Sequence, residues 1–232
     1  MSETSNIAGL KAVVFDWAGT VIDFGSCAPV QALQAVFADQ GVPITAEEAQ
    51  ADMGRSKSDH IAQLLAKPRI AAAWRAAKGA QPSPDDAQKL FEAVGPAMIA
   101  SAGARTLMIP GAVKVAADLQ AAGVRIGSCT GYTREMMAAI LPRAAEQGYR
   151  PDCVVCAGET PEGRPSPLMA WKVMVELGVW PASACVKVDD TPVGVLEGRN
   201  AGMWTVGVAA SGNEVGLDLE AFNALSPADR AA

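Results

Sequence analysis

The chain has 232 residues, half of them hydrophobic, with 25 acidic against 19 Lys and Arg side chains and a formal net charge of −6. That is enough apolar material for one sizeable core, or for a core with a smaller companion. An acidic balance without any basic block lacks the electrostatic footprint of a nucleic-acid binder, so a small-molecule partner is expected and no nucleic acid.

MSETSNIAGLK at the start lacks the basic and apolar regions of a signal peptide. The next segment, Ala12 to Phe15, is a short apolar run that reads as a buried strand, and it delivers Asp16, Trp17, Ala18, Gly19 and Thr20 at its end. From about Gly25 to Arg105 strand patterns almost vanish. Thr45 to Glu48 (TAEE) is a capping box, Ala71 to Lys78 (AAAWRAAK) is alanine-rich, and Ser83-Pro84-Asp85-Asp86 has a serine cap with proline in the first turn.

After about residue 107 helix and strand patterns alternate. Gly111 to Ala122 reads as helix closing at Gly123, Val124 to Thr130 as strand, Thr133 to about Gln147 as helix, and Asp152 to Ala157 as strand. Ser166 to Leu177 is helical again, Ala184 to Asp189 a strand, Pro192 to about Ala201 a helix and Trp204 to Ala209 a strand, with a surface helix in the tail. This alternation is the signature of βαβ units. The expected fold class is therefore α/β: a Rossmann-like parallel sheet core of at least five strands, formed by residues 1–24 and 106–232, with an inserted all-helical cap over residues 25–105. An insertion there sits over the carboxyl ends of the strands, where such sheets place their ligands, and can act as a lid.

No apolar run approaches the roughly 20 residues that span a bilayer, so no membrane partner is expected. Cys27, Cys129, Cys153, Cys156 and Cys185 are an odd set. Cys153 and Cys156 have CxxC spacing inside a strand-like run, which points the two thiols to opposite faces. Buried reduced thiols and a cytoplasmic location are the expectation.

Four polar clusters fall at strand ends or at the following helix starts: Asp16 with Ala18-Gly19-Thr20, Thr130-Gly131, Gly163-Arg164-Pro165, and Asp189-Asp190-Thr191. In a doubly wound sheet they converge at one edge. Carboxylates, hydroxyl and amide donors and one guanidinium together suit a phosphoryl group and a hard divalent ion such as Mg²⁺. An aspartate in that position can also serve as nucleophile and form an acyl phosphate.

Arranged in this order, the clusters resemble the four motifs of the haloacid dehalogenase superfamily of phosphotransferases, over nearly the whole chain. The usual first motif there is DxDGT, and here Ala18 replaces the second aspartate. With FDWAGT, MGRSKSDH, GSCTGYTREMM, GRPSP and EGRNAGMWTVGV, the chain is similar to the phosphonatase branch, whose members cleave a carbon–phosphorus bond to give acetaldehyde and phosphate.

The resemblance implies that Asp16 is nucleophile and Mg²⁺ ligand, with the Ala18 carbonyl and Asp190 as further ligands. Thr130, Gly131 and Arg164 would bind the phosphoryl group, and Lys57 from the insertion would form a Schiff base with the aldehyde. It also implies that His60, three residues on, assists proton transfers at the amine and that the protein is a homodimer joined through the cap; Met53, by its place in the MGRSKSDH string, is a candidate substrate contact. A lysine sink suits the chemistry, because a carbanion is a poor leaving group whereas an iminium accepts the electron pair as an enamine. That requires a neutral Lys57 near pH 7, against an unperturbed value of about 10.4.

Better-known phosphonatases carry a further aspartate four residues after the late acid, where this chain has Gly194, and Asp189 precedes Asp190 instead. Either Asp189 takes over the supporting role or the metal is held more loosely. Trp17, Met136 and Met137 are further candidates for the aldehyde pocket, although apolar residues at helical spacing are more often core. The rival activity is a phosphate-ester phosphatase or phosphomutase of the same superfamily; those reactions expel an alkoxide and benefit from the acid that Ala18 has replaced.

Overall fold

The computed structural model describes residues 9–53 and 55–230, with backbone only for 102–104. Most of the N-terminal segment and Gly54 of the MGRSKSDH string lie outside the described residues, as do the last two alanines. Five strands, β1 (Ala12–Phe15), β2 (Arg125–Thr130), β3 (Cys153–Cys156), β4 (Cys185–Asp189) and β5 (Trp204–Gly207), form one parallel sheet in the order β3-β2-β1-β4-β5. Their short apolar runs are buried on both faces in β1 and β2, as a doubly covered parallel sheet requires.

Strand alternation sorts the core into two layers. Val13, Phe15, Ile126 and Cys156 face one way, and Ala12, Val14, Cys129 and Val155 the other. Cys153 packs with the second layer and Cys156 with the first, and all five cysteines are free thiols, so CxxC spacing inside a strand brings no pair together.

Between β1 and β2 lie α1 (Cys27–Asp39), α2 (Ala46–Gln50), α3 (Lys57–Ala66), α4 (Pro68–Lys78), α5 (Pro84–Ala104) and α6 (Ala112–Ala121). The capping box at Thr45 and Glu48 forms as read, and Ser56 caps α3 by accepting from the Asp59 amide. The insertion packs inward: α5 lies against α1 and α3 and also against α7 (Arg134–Glu146) of the sheet layer. Its two connections run side by side, where the Ile109 amide donates to the Val21 carbonyl at 2.8 Å and Ile22 bridges Met108.

The rest of the chain adds α8 (Leu168–Leu177), a 3-10 turn at Ala182–Ala184, α9 (Pro192–Asn200) and α10 (Leu219–Ala224). Helix α8 starts two residues later than its sequence pattern, because Pro167 disfavours helical geometry at Ser166 and itself becomes the cap. No helix among the described residues is long and apolar enough to cross a membrane.

Register positions the chemistry. Phe15 pairs with Ser128 on one side and Val188 on the other, so Asp16, one residue on, emerges level with Cys129 and Asp189 at the carboxyl edge. Helix α8 seals the opposite face by pressing on Gly127, where a β-carbon would lie 2.3 Å from Val173 Cγ1. Gly127→Ala is therefore expected to cost about 1–3 kcal/mol by overpacking. The check is a lower urea midpoint at unchanged slope; an unshifted midpoint would contradict such close packing.

Candidate active site

Asp16, Ala18, Thr130, Gly131 and Arg164 from the sheet edge, with Met53 and Lys57 from the insertion, line one narrow cavity. Residues 148 positions apart in sequence meet there, where Arg164 Nη2 donates to Asp16 Oδ1 at 2.7 Å. The insertion reaches this edge because α3 begins beside the loop that carries Arg164: a β-carbon at Gly163 would lie 3.7 Å from Ser56 Cβ.

Beneath the cavity Asp16, Asp189 and Asp190 are all buried, and one ligand atom from each lies within 4.8 Å of the others. Gly19 makes this approach possible. Its φ of +80° suits glycine, and a β-carbon there would stand 2.2 Å from the Asp190 carboxylate. Thr20 Oγ1 donates to Asp190 Oδ1 at 3.1 Å and the Asn213 amide to Oδ2 at 2.8 Å. Even so, burial, and then the charges of Asp16 and Asp189, push Asp190 up to about 8. Burial likewise raises Asp16, with Arg164 pulling the other way.

The loop–helix junction after β4 explains the unusual order of acids. The Asp189 side chain folds back on the first turn of α9, where it accepts from the Thr191 amide at 3.0 Å and the Thr191 hydroxyl at 2.8 Å. A β-carbon on Gly194 would lie 2.0 Å from the Asp189 carboxyl carbon. The space that a side chain at 194 would take is filled by Asp189, so the two positions exclude each other. Burial opposes ionisation of Asp189, but the charges of Arg164 and Lys187 outweigh it and hold the carboxyl below its ordinary range.

Arg164 is almost wholly buried and meets carboxylates in three directions. Besides Asp16, its Nε donates to Glu197 Oε2 at 3.0 Å and its Nη1 lies 3.3 Å from Asp189 Oδ2. Nη2 also donates to the Cys129 carbonyl at 2.8 Å. Three buried carboxylates, Asp16, Asp189 and Glu197, thus meet Arg164 and the fully buried Lys187, and a fourth, Asp190, lies beside Asp16 and Asp189. That surplus of negative charge and the hard oxygen donors fit a divalent cation.

Lys57 stands at the first position of α3 and is buried, its Nζ 3.4 Å from Met53 Sδ and 5.7 Å from the centre of the Tyr132 ring. Burial first, and the Arg164 charge second, bring it down from 10.5 to about 8 against the opposing pull of Asp16. The helix N-terminus acts in the same direction, since its partial positive charge disfavours an ammonium.

His60, one turn along α3, is fully buried and does not line the cavity. Burial, then the Lys57 charge, lower it to about 3, against a weak opposing contact with the Ala49 backbone. Trp17, Met136 and Met137 stay out of the cavity as well: Trp17 stacks edge-on against Tyr149 at 5.4 Å, and the two methionines are core residues of α7. Helical spacing carried them inward. Sequence reading passed over Tyr132, which lines the cavity beside Lys57, and Asn213, which ties Asp190 to the Gln50 carbonyl of α2. Tyr132 follows Thr130-Gly131 directly, a proximity that could have drawn attention to it.

A family model for haloacid dehalogenase-like hydrolases matches residues 10–202. Phosphonoacetaldehyde hydrolase from Paraburkholderia phytofirmans is 50% identical over 218 residues, covering 94% of this chain and 82% of the relative. That from Hahella chejuensis is 47% identical over 221 residues, covering 95% and 75%. The crystal structure of a phosphonoacetaldehyde hydrolase-like protein from Oleispira antarctica superposes with a TM-score of 0.95 at 45% identity, covering 97% of this chain and 82% of that one. Similarity on this scale, over a sheet edge that gathers the four motifs around Asp16, shows that the chain belongs to the phosphonoacetaldehyde hydrolase branch of the haloacid dehalogenase-like hydrolases.

Proposed function

We propose that the protein hydrolyses the carbon–phosphorus bond of phosphonoacetaldehyde to acetaldehyde and phosphate. One observation carries the reading: a buried lysine with a lowered pKa faces the strand-end aspartate across a single cavity, while position 18 holds no acid. A carbon leaving group needs the first and has no use for the second.

In this mechanism the neutral Lys57 amine adds to the aldehyde and, as one proton is taken up, water leaves, giving an iminium. Asp16 attacks phosphorus, the P–C bond breaks, and its electron pair moves into the iminium to form an enamine, leaving the phosphoryl group on Asp16. Protonation of the enamine at carbon and hydrolysis of the resulting iminium release acetaldehyde and regenerate the lysine. Water attack on the acyl phosphate releases phosphate. Thr130, the Gly131 amide and Arg164 hold the phosphoryl oxygens, and Met53 and Tyr132 shape the space around the amine. His60, one turn along α3 from Lys57, is assigned to proton transfers at the amine on the resemblance alone; buried off the cavity and lowered to about 3, it stays neutral and would relay a proton rather than hold one.

Mg²⁺ is the metal proposed, held by Asp16, Asp190 and the Ala18 carbonyl with Asp189 in support. When bound it would offset the buried carboxylates and draw charge from the phosphoryl oxygens. We further assign residues 25–105 to the cap and residues 1–24 and 106–232 to the core, a cytoplasmic location consistent with five free thiols, and a homodimer joined through the cap.

Three outcomes are expected. Phosphate and acetaldehyde appear in equal amounts from phosphonoacetaldehyde, with little turnover of sugar phosphates, and Asp16→Asn abolishes both products; preference for phosphate esters would favour the phosphatase or phosphomutase alternative. Because only the free amine adds to an aldehyde, kcat/KM rises with pH and levels off above about 8, following Lys57; a rise continuing to about 10, the value of an ordinary lysine, would contradict the lowered pKa. Finally, Gly194→Ala forces a β-carbon into the Asp189 carboxylate and is expected to weaken Mg²⁺ activation by about tenfold or more, the scale seen when a ligand's support is disturbed. A chelator titration with added Mg²⁺ measures it.

A further inference from the structure

The buried charges do not end at Arg164, and the proposed reaction uses neither Lys187 nor Glu197. Both are fully buried. Lys187 and Asp189 lie two apart on β4 and so point to one face, the face covered by α9. Opposite them α9 presents Gly194 and Gly198, one turn apart: a β-carbon at 194 would meet the Asp189 carboxylate at 2.0 Å, and one at 198 would meet Lys187 Cβ at 2.6 Å. Two glycines at this spacing let the helix lie close on the strand, with charged side chains in the gap where an apolar layer is usual.

Glu197, between those glycines, reaches inward. Its Oε2 accepts from Arg164 Nε at 3.0 Å and from Cys129 Sγ at 3.4 Å, and lies 3.7 Å from Lys187 Nζ. Nε is the one guanidinium nitrogen that points back along the side chain, away from the reacting group. A carboxylate there fixes the rotation of the planar fork without competing with a phosphoryl oxygen for the outer amino groups. Lys187, hydrogen-bonded to Asp189 and close to Glu197, keeps the two acids from repelling each other.

We propose that Glu197 is a positioning residue for phosphoryl transfer: it holds the Arg164 guanidinium from behind so that Nη2 faces Asp16 and the phosphoryl group. The inference rests on the function proposed above for the site. Glu197 Oε1 has no hydrogen-bond partner among the described residues, so an amide can replace the carboxylate while still accepting from Nε through the remaining oxygen.

The test compares Glu197→Gln with Glu197→Ala, using inorganic phosphate as probe in the presence of Mg²⁺ and borohydride trapping of acetaldehyde as the readout for Lys57. Glu197→Ala is expected to weaken phosphate binding and lower kcat by about 100-fold or more, on the scale of losing one oriented donor at a reacting centre. Glu197→Gln restores both to within about fivefold, since it keeps the bond to Nε, and trapping at Lys57 proceeds in both variants as in the parent. Equal losses in Gln and Ala variants, or unchanged phosphate binding in Glu197→Ala, would overturn the proposal. So would parallel loss of phosphate binding and Lys57 trapping, which marks a general structural defect. If Glu197→Ala does not fold, the double variant Glu197→Ala with Lys187→Met, which removes a cation with the anion, is read by the same criteria. Phosphate binding needs no carbon–phosphorus chemistry, so a parent enzyme that binds phosphate but leaves phosphonoacetaldehyde intact would refute the function without touching the role of Glu197.

Discussion

A guanidinium withdrawn from water at the end of a parallel sheet constrains everything around it. Burying Arg164 costs several kcal/mol unless carboxylates enclose it with good geometry, and Asp16, Asp189 and Glu197 supply that enclosure from three different elements. The strand register places Asp16 and Asp189 level with each other, and the close seat of α9 brings Glu197 underneath. The buried carboxylates could hold a divalent cation, and in the proposed reaction the guanidinium would supply the positive wall for a phosphoryl group.

The same field reaches Lys57. A dry pocket lowers its proton affinity and Arg164 lowers it further, while Asp16 works in the opposite sense. Lowered to about 8, Lys57 shares one cavity with Asp16, so in the proposed reaction one substrate would touch both. Helix α3 begins at Lys57 and packs on α5, and α5 packs on α7, so in the proposed mechanism this contact would set the distance from Lys57 to the sheet edge. The absence of a carboxylate at Ala18 belongs with this arrangement: an acid there has no alkoxide to protonate when the electrons leave through an iminium.

Much of this was legible in the residues. Short apolar runs ending in Asp16, Thr130 and Asp189 marked three strands and the edge at which their polar termini gather, and the capping box at Thr45 marked a helix start. What stayed hidden depends on contacts between elements. Asp189 and Gly194 looked like a misplaced acid and a missing one until the first turn of α9 proved too close to β4 for both to carry side chains. Glu197 in a polar helix reads as a solvated face, and only the Gly194/Gly198 spacing, with a lysine inside the apolar string VKVD, hinted at a buried charge pair. Trp17, Met136 and Met137 show the converse: motif neighbours with apolar side chains went into the core because nothing in local spacing says which side of a strand end or helix faces the cavity.

The pairing of Lys57 with Asp16 across one cavity is tested most directly by treating enzyme and phosphonoacetaldehyde with borohydride and locating the modification by peptide mass spectrometry. An irreversible alkyl adduct on Lys57, with activity lost in step and none formed in Lys57→Arg, is the predicted result. Full activity after borohydride treatment, or an adduct on any other lysine, would contradict the proposed mechanism.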